Sequence, residues 1–147
     1  LNKIVNSVRE IKNVEHRLEL IPHGNLNIID DSYNSNPISS KSALDTLAEF
    51  EGTKIIVTPG LIELGKDEEK YNFELGKYMV NICDYIFLVN SKSSKYILEG
   101  INSMNFNEDK IFIVNTSQEA MQHISQLTIN NKVTVLLEND LPDNYNI

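Results

Sequence analysis

Residues 54–89 carry one complete strand–helix–strand pattern and read KIIVTPGLIELGKDEEKYNFELGKYMVNICDYIFLV. The pattern begins and ends with continuous apolar runs, Ile55–Val57 and Ile86–Val89, which are typical of strands that helices cover on both faces. Between these runs, apolar residues recur at helical spacing from Glu68 to Ile82. A strand, a helix and a second strand in this order predict two parallel strands joined by a right-handed crossover.

The same alternation extends from residues 54–89 in both directions along the chain. The apolar spacing predicts strands at 17–21, 26–30, 54–58, 85–89, 110–114 and 133–137, and helices at 1–10, 39–50, 68–82, 93–104 and 117–127. Strands that alternate with helices indicate a parallel sheet. The predicted fold class is therefore α/β, with a Rossmann-like, doubly wound, mostly parallel sheet and an antiparallel amino-terminal edge hairpin that turns at Pro22–Asn25.

Helix ends are predicted from residues that favour caps and turns. Ser39 or Ser40 is expected to cap the helix at 39–50, and Gly52 is expected to end it. Asp67 is expected to cap the helix that follows residues 54–58, and Ser117 the last helix.

Composition excludes several classes of protein. The 147 residues are 41% hydrophobic and 23% charged, which indicates one globular domain with a real core. A net charge of −8 argues against a nucleic-acid partner. No apolar run approaches the roughly 18 residues that span a bilayer, so we expect neither a signal peptide nor a membrane span. The lone Cys83 lies in an apolar context, which predicts a buried thiol and suits a reducing cytoplasm.

The chain begins at Leu1, without Met and within a helical pattern, which suggests a piece of a longer protein. We expect residues 1–14 to be the end of an interdomain linker or helix. We expect residues 15–147 to form a single domain.

The connection from Gly60 to Lys66 matches the spacing G-x-x-x-x-G-K of a phosphate-binding loop. Asp67 stands where such a loop needs Ser or Thr to hold Mg²⁺, and Glu63 adds a second negative charge. Both carboxylates would repel the phosphates, so the sequence favours a packed connection between a strand and a helix.

The segment from Asp30 to Pro37, here called the polar segment, reads DDSYNSNP. It follows a predicted strand and precedes a predicted helix, where open α/β sheets bind ligands. A polar turn that only leads into the helix is the alternative, because these residue types favour turns. Arg17 and Lys41 also have two interpretations each. Arg17 either contacts a ligand or lies in solvent on a strand, and Lys41 either contacts a bound anion or lies in solvent.

Four segments resemble the Mur ligase family, and the polar segment resembles its MurF type in particular. EHRLE at 15–19 resembles the stretch that opens the family's third domain. DSYNSNP at 31–37 resembles the MurF-type signature D-S/C-Y-N-A-N-P, and TPGLIELG at 58–65 resembles the family's G-x-M-x-E-L-G loop. LENDLPD at 137–143 is similar to the ending of a MurF-like subset. Departures are Glu15 for the usual Gly, Ser35 for Ala and Leu61 for Asp or Met.

The resemblance implies that residues 15–147 are the carboxy-terminal domain of a bacterial, ATP-dependent amide ligase of peptidoglycan synthesis. Such a ligase joins D-alanyl-D-alanine to a UDP-MurNAc-tripeptide. The family's ATP loop and Mg²⁺-holding groups belong to the central domain, so the resemblance implies no catalytic residue and no metal ligand in this chain, and an inactive fragment. The implied partners are the two substrates and the central and amino-terminal domains.

By the same resemblance, the polar segment and Arg17 contribute the site residues. Arg17, Asp31 and Asn34 would contact ATP, and Tyr33 and Asn36 would line the interdomain cleft near D-alanyl-D-alanine. Two alternatives stay open: a non-catalytic Rossmann-like binding module, and a ligase of the same superfamily with another substrate, as in folylpolyglutamate synthase.

Overall fold

A computed structural model describes residues 19–23, 26–31, 36–61, 64–127 and 131–138. Within these ranges the strands are β1 (Glu19–His23), β2 (Leu26–Asp31), β3 (Thr53–Thr58), β4 (Tyr85–Val89), β5 (Ile111–Val114) and β6 (Val133–Glu138). The helices are α1 (Pro37–Ala48), α2 (Glu68–Val80), α3 (Lys92–Asn102) and α4 (Ser117–Gln126), with short 3-10 turns at Gly65–Asp67 and Glu108–Lys110. The predicted helix at 1–10, the site residues Arg17, Tyr33 and Asn34, and the tail at 139–147 lie outside the described residues.

The strands form one sheet in the order β1-β2-β6-β3-β4-β5. β1 pairs antiparallel with β2 along Glu19↔Asp30 to His23↔Leu26, and the other pairs are parallel. β6 lies between β2 and β3, so the chain builds the sheet outward to β5 and then returns to its centre. The predicted fold class is confirmed.

Helices cover the two faces of the sheet, and the strand residues alternate between the faces. On the first face Ile56 and Leu136 lie in a core formed with α1, α2 and α3. On the second face Val57 and Val135 lie in a core closed by α4. The predicted burial of Cys83 is confirmed, since its side chain is 5% exposed in the first core. Within the described ranges, no helix has both the length and the apolar character that a bilayer crossing requires.

Three of the predicted helix signals are wrong in detail. α1 is capped by Asn36, which has an extended backbone and whose side-chain oxygen accepts a hydrogen bond from the Ser39 N–H. Pro37 occupies the first helical position. α1 ends at Ala48, well before Gly52. Thr116 rather than Ser117 caps α4.

The start of α2 departs more subtly from its prediction. Asp67 occupies the cap position but makes no capping hydrogen bond, because the chain enters α2 through the 3-10 turn at Gly65–Asp67. Two glutamates, Glu68 and Glu69, then lie in the first turn of α2, where negative charge is favourable.

The turn predicted at Pro22–Asn25 begins later than expected, because Pro22 and His23 belong to β1. Proline cannot donate a hydrogen bond, but β1 is an edge strand and one side of its backbone needs no partner strand. The helix predicted at 93–104 ends at Asn102, and Met104 is 38% exposed instead of packing in the core.

Candidate functional site

The carboxyl ends of three neighbouring strands place polar side chains along one edge of the sheet. β2 ends at Asp31, β6 at Glu138 and β3 at Thr58. Asp31 and Glu138 are register partners in the parallel pair of β2 and β6. Open α/β sheets bind ligands at this edge, where the direction of chain winding reverses.

Asp31 and Glu138 form a buried pair of carboxyl groups beneath the start of α1. Both side chains are 0% exposed, and the Ser40 hydroxyl donates a hydrogen bond to Glu138 Oε1 at 2.5 Å. Burial and the neighbouring Asp31 carboxyl raise the pKa of Glu138 well above its usual value, while the Ser40 hydrogen bond opposes this shift. Two ionised carboxylates side by side in a buried place would repel, so the raised pKa favours the neutral, acid form of Glu138.

Asn36 lies at the other end of the polar segment from Asp31 and is exposed to solvent. Its Oδ1 accepts a hydrogen bond from the Ser39 backbone N–H at 2.8 Å and so fixes the start of α1. Of the five predicted site residues, the structure thus places Asp31 and Asn36 at the carboxyl edge, and the other three lie outside the described ranges.

In the connection after β3, backbone groups of Gly60 and Leu61 make hydrogen bonds to side chains of the protein interior. The Gly60 N–H donates to Thr58 Oγ1 at 3.0 Å, and the Leu61 N–H donates to Asn72 Oδ1 at 2.8 Å. The Leu61 carbonyl accepts from Asn72 Nδ2 at 2.9 Å and from Ser93 Oγ at 2.8 Å. Because these two amides already have protein partners, they are not available to bind a phosphate, which agrees with the packed connection that the sequence favours.

A groove of about 350 Å³ opens between α1 and α2, beside the place where the polar segment joins α1. It is lined by Pro37, Lys41, Leu61, Lys70, Tyr71, Glu74, Leu75 and Tyr78. The Lys41 ammonium lies over the Tyr78 ring, 5.0 Å from its centroid. Lys41 therefore faces this groove.

No group of three or more His, Cys, Asp or Glu side chains that could hold a metal ion occurs in the described part of the chain. The buried carboxyl pair offers only two such groups, and the raised pKa of Glu138 makes that carboxyl a poorer metal ligand. The donor set on these residues does not fit a resident Mg²⁺ site.

The structure adds Glu138, Ser40 and Asn72 to the residues that shape this edge. The sequence analysis considered Ser40 only as a helix cap and gave none of the three a role at the site. Glu138 carried a signal that could have been used. It directly follows the predicted strand at 133–137, just as Asp31 directly follows the predicted strand at 26–30. Ser40 and Asn72 lie within helices and carried no such signal.

Comparison with known proteins identifies the family of this domain. Residues 16–138 match the family described as "Mur ligase, glutamate ligase domain", which is most of the chain. The chain belongs to the Mur ligase family. The sequence resemblance is thereby confirmed.

Two curated relatives of this Mur ligase domain carry the same description, UDP-N-acetylmuramoyl-tripeptide–D-alanyl-D-alanine ligase. The protein from Bacillus subtilis is 31% identical over 114 residues, which cover 75% of this chain and 24% of the relative. The protein from Buchnera aphidicola is 29% identical over 141 residues, which cover 94% of this chain and 29% of the relative. The chain thus spans only about a quarter of the length of these ligases.

Solved structures of similar fold include whole Mur ligases. The MurF ligase from Thermotoga maritima in complex with ADP matches with a TM-score of 0.70 and 20% identity, over 85% of this chain and 27% of that chain. MurF from Acinetobacter baumannii matches with a TM-score of 0.67 and 25% identity, over 85% and 27%. A folylpolyglutamate synthase from Mycobacterium tuberculosis matches with a TM-score of 0.59 and 14% identity, over 85% and 29%, which shows a shared fold alone.

Proposed function

We propose that this chain is the third domain of a MurF-type ligase, which joins D-alanyl-D-alanine to a UDP-MurNAc-tripeptide at the expense of ATP. The observation that carries the proposal is the position of the signature segment Asp31–Pro37. It leaves the carboxyl end of β2 at Asp31 and enters α1 at Pro37, at the edge where open α/β sheets bind ligands. The two curated relatives with this activity support the same assignment.

The proposed reaction has two balanced steps. The tripeptide carboxylate oxygen attacks the γ-phosphorus of ATP, an acyl phosphate forms and ADP leaves. The amine of D-alanyl-D-alanine then attacks the acyl carbon, inorganic phosphate leaves and the amine gives up a proton. Water would hydrolyse the acyl phosphate, so the contribution of this domain is to close over a central ATP-binding domain and exclude water.

In this proposal the ligand contacts come from the polar segment and from Arg17. Arg17 and Asn34 contact ATP, and Tyr33 and Asn36 face D-alanyl-D-alanine. We assign Asp31 to the nucleotide side. Because its side chain is buried against Glu138, we propose that it stabilises the polar segment from the interior of the protein. Mg²⁺ would be held by the central domain, because the described residues here do not fit a resident metal site. We place the protein in the cytoplasm, whose reducing conditions suit the free Cys83 thiol.

The deciding experiment measures phosphate release by the full-length protein that contains this chain. The assay supplies ATP, Mg²⁺ and UDP-MurNAc-tripeptide, with and without D-alanyl-D-alanine. Release that depends on the dipeptide establishes the ligase and its acceptor together. No release from a folded protein with this pair of substrates refutes the assignment.

The same assay tests the site residues in the full-length protein. Arg17→Ala, Asp31→Ala and Asn34→Ala are each expected to lower turnover while the protein stays folded. Wild-type turnover in all three variants would contradict the assignment of the nucleotide side.

A second candidate is an amide ligase of the same superfamily with a different acceptor, because a fold shared with folylpolyglutamate synthase does not by itself distinguish between acceptors. The assay separates the two, because such an enzyme would release phosphate with a folate and glutamate but not with the peptidoglycan precursors.

A further inference from the structure

Glu138 contacts the residues on both sides of positions 32–35, although it lies about a hundred positions away in the sequence. Its register partner on β2 is Asp31, which precedes these positions. Its Oε1 accepts a hydrogen bond from Ser40 at 2.5 Å, in the first turns of α1, which follows them. One side chain of the central strand thus lies against both Asp31 and the first turns of α1.

The surroundings of Glu138 also favour one protonation state of its carboxyl group. Its Oε2 is buried and receives no hydrogen bond from an N–H or O–H group of the described residues, while the Asp31 carboxyl lies within hydrogen-bonding reach. A buried carboxyl oxygen in this position is satisfied if it carries a proton and donates it to the neighbouring carboxylate. Glu138 can then donate to Asp31 and accept from Ser40 at the same time.

Around Glu138, the described part of the chain supplies no compensating positive charge. On β2 the facing group is Asp31, on α1 it is the neutral Ser40, and on β3 the strand ends at the neutral Thr58. Lys41 follows Ser40 in α1 but is exposed and lies over the Tyr78 ring. Ionisation of Glu138 would therefore place two negative charges side by side in a buried place.

We propose that Glu138 is a positioning residue, a carboxylic acid that donates to Asp31 and accepts from Ser40 and so fixes the polar segment for its ligands. This inference rests on the proposed function, because it gives the polar segment a role in binding ATP and D-alanyl-D-alanine. Glu138 itself touches no substrate. It acts by holding Asp31 and α1 at a set distance.

The first test compares Glu138→Gln with Glu138→Ala in the full-length protein by steady-state kinetics at neutral pH. Glutamine is neutral, donates through its amide N–H and accepts through its amide oxygen, so it reproduces the acid form. We expect the KM for ATP or for the dipeptide to rise roughly 10-fold in Glu138→Ala, the effect of about one lost hydrogen bond. We expect it to stay within about 2-fold of wild type in Glu138→Gln, with kcat little changed in both.

Ser40→Ala keeps the carboxyl pair and removes only the hydrogen bond from Ser40 to Glu138, so it should raise the same KM by several-fold. It replaces Glu138→Ala in this test if Glu138→Ala does not fold. Glu51→Gln, at an exposed glutamate, is the matched control and should match wild type. If Glu138→Gln is as impaired as an alanine variant, an ionised carboxylate is required and the proposal is wrong. Unchanged KM values in Glu138→Ala and Ser40→Ala would also overturn it.

A second test needs no substrate and so separates this inference from the proposed function. The folded state binds a proton on Glu138 more tightly than the unfolded state does. Its contribution to stability is therefore full at acidic pH and is lost as pH rises above the unfolded-state pKa of glutamate. The urea midpoint of wild type should fall relative to that of Glu138→Gln between pH 5 and pH 8. If the two midpoints change in parallel with pH, the proposal that Glu138 is protonated is wrong. If the wild type shows no dipeptide-dependent phosphate release, only the proposed function is refuted.

Discussion

Asn72 makes three hydrogen bonds with one side chain, all of them to backbone groups. Asn72 Oδ1 accepts from the Leu61 N–H, and Asn72 Nδ2 donates to the Leu61 carbonyl in the connection after β3. Asn72 Nδ2 also donates to the Glu68 carbonyl at the start of α2. The side chain is 0% exposed. The shape of the connection next to the polar edge thus depends on one buried amide.

Replacement of Asn72 by Ala should lower the free energy of unfolding by about 2–4 kcal/mol, because the buried Leu61 N–H loses its partner and a small cavity remains. Urea unfolding measures this. Asn102→Ala, at an exposed asparagine in the last turn of α3, is the control and should change stability by less than about 0.5 kcal/mol. Equal effects of the two substitutions would show that the hydrogen bonds of Asn72 contribute little.

Asn36 combines a structural and a proposed functional role, and two substitutions separate them. Asn36→Asp keeps the oxygen that caps α1, whereas Asn36→Ala removes it at a cost of about 1 kcal/mol. If the amide also contacts D-alanyl-D-alanine, both variants should raise the KM for the dipeptide while only the alanine variant loses stability. A normal KM in Asn36→Asp would reduce the role of Asn36 to capping.

At the scale of elements, two glycines set the distance between α2 and α3. A Cβ atom at Gly76 would lie 2.2 Å from the Ile97 carbonyl oxygen, and one at Gly100 would lie 2.1 Å from the Phe73 carbonyl oxygen. Real side chains cannot approach backbone so closely, so the helices can pack at this distance only without those Cβ atoms. The first core and the groove beside α2 both depend on this packing.

Gly100→Ala should therefore destabilise the protein by about 1–3 kcal/mol, although alanine is the better helix former. Thermal or urea unfolding measures the loss. Gly65→Asn is a matched control, because the space around Gly65 is open and asparagine tolerates its φ of 61°. A more stable Gly100→Ala variant would mean that α2 and α3 separate without cost.

The sequence predicts the elements well where one pattern dominates and poorly where several residues compete. Tyr85–Val89 is predicted to the residue, since a continuous apolar run has only one interpretation as a strand. The cap of α1 is misplaced because Asn36, Ser39 and Ser40 are all good caps, and only the backbone at Asn36 decides among them. Pro22 is misassigned because sequence alone does not say that its strand lies at an edge.

At the scale of the whole molecule, β6 supports both cores. Leu136 faces the core with α1, α2 and α3, whereas Val135 faces the core with α4, and both are 0% exposed. Leu136→Ala should cost about 2–5 kcal/mol of unfolding free energy, because the cavity opens at the centre of the sheet. Ile113→Ala on the edge strand β5, where the side chain is 56% exposed, should cost less than about 1 kcal/mol in the same unfolding experiment. Similar costs would contradict the central place of β6.

The candidate site is predictable only in part, for a reason that also lies at this scale. Asp31 and Asn36 belong to one short segment, so their neighbourhood follows from the sequence. Glu138 lies beside Asp31 only because β6 inserts between β2 and β3, and strand order comes from long-range packing that no local pattern encodes. The ligand roles of Arg17, Tyr33 and Asn34 stay predictions.

The central position of β6 has a consequence for how the protein is made. A ribosome delivers β2 and β3 early, but they have no direct pairing with each other and both pair with β6. Until residue 138 has left the exit tunnel, the nascent chain therefore carries two separate half-sheets with unpaired inner edges. Such edges are the surfaces on which chains aggregate, so translation that stalls before residue 133 should leave a product that chaperones bind and proteases remove.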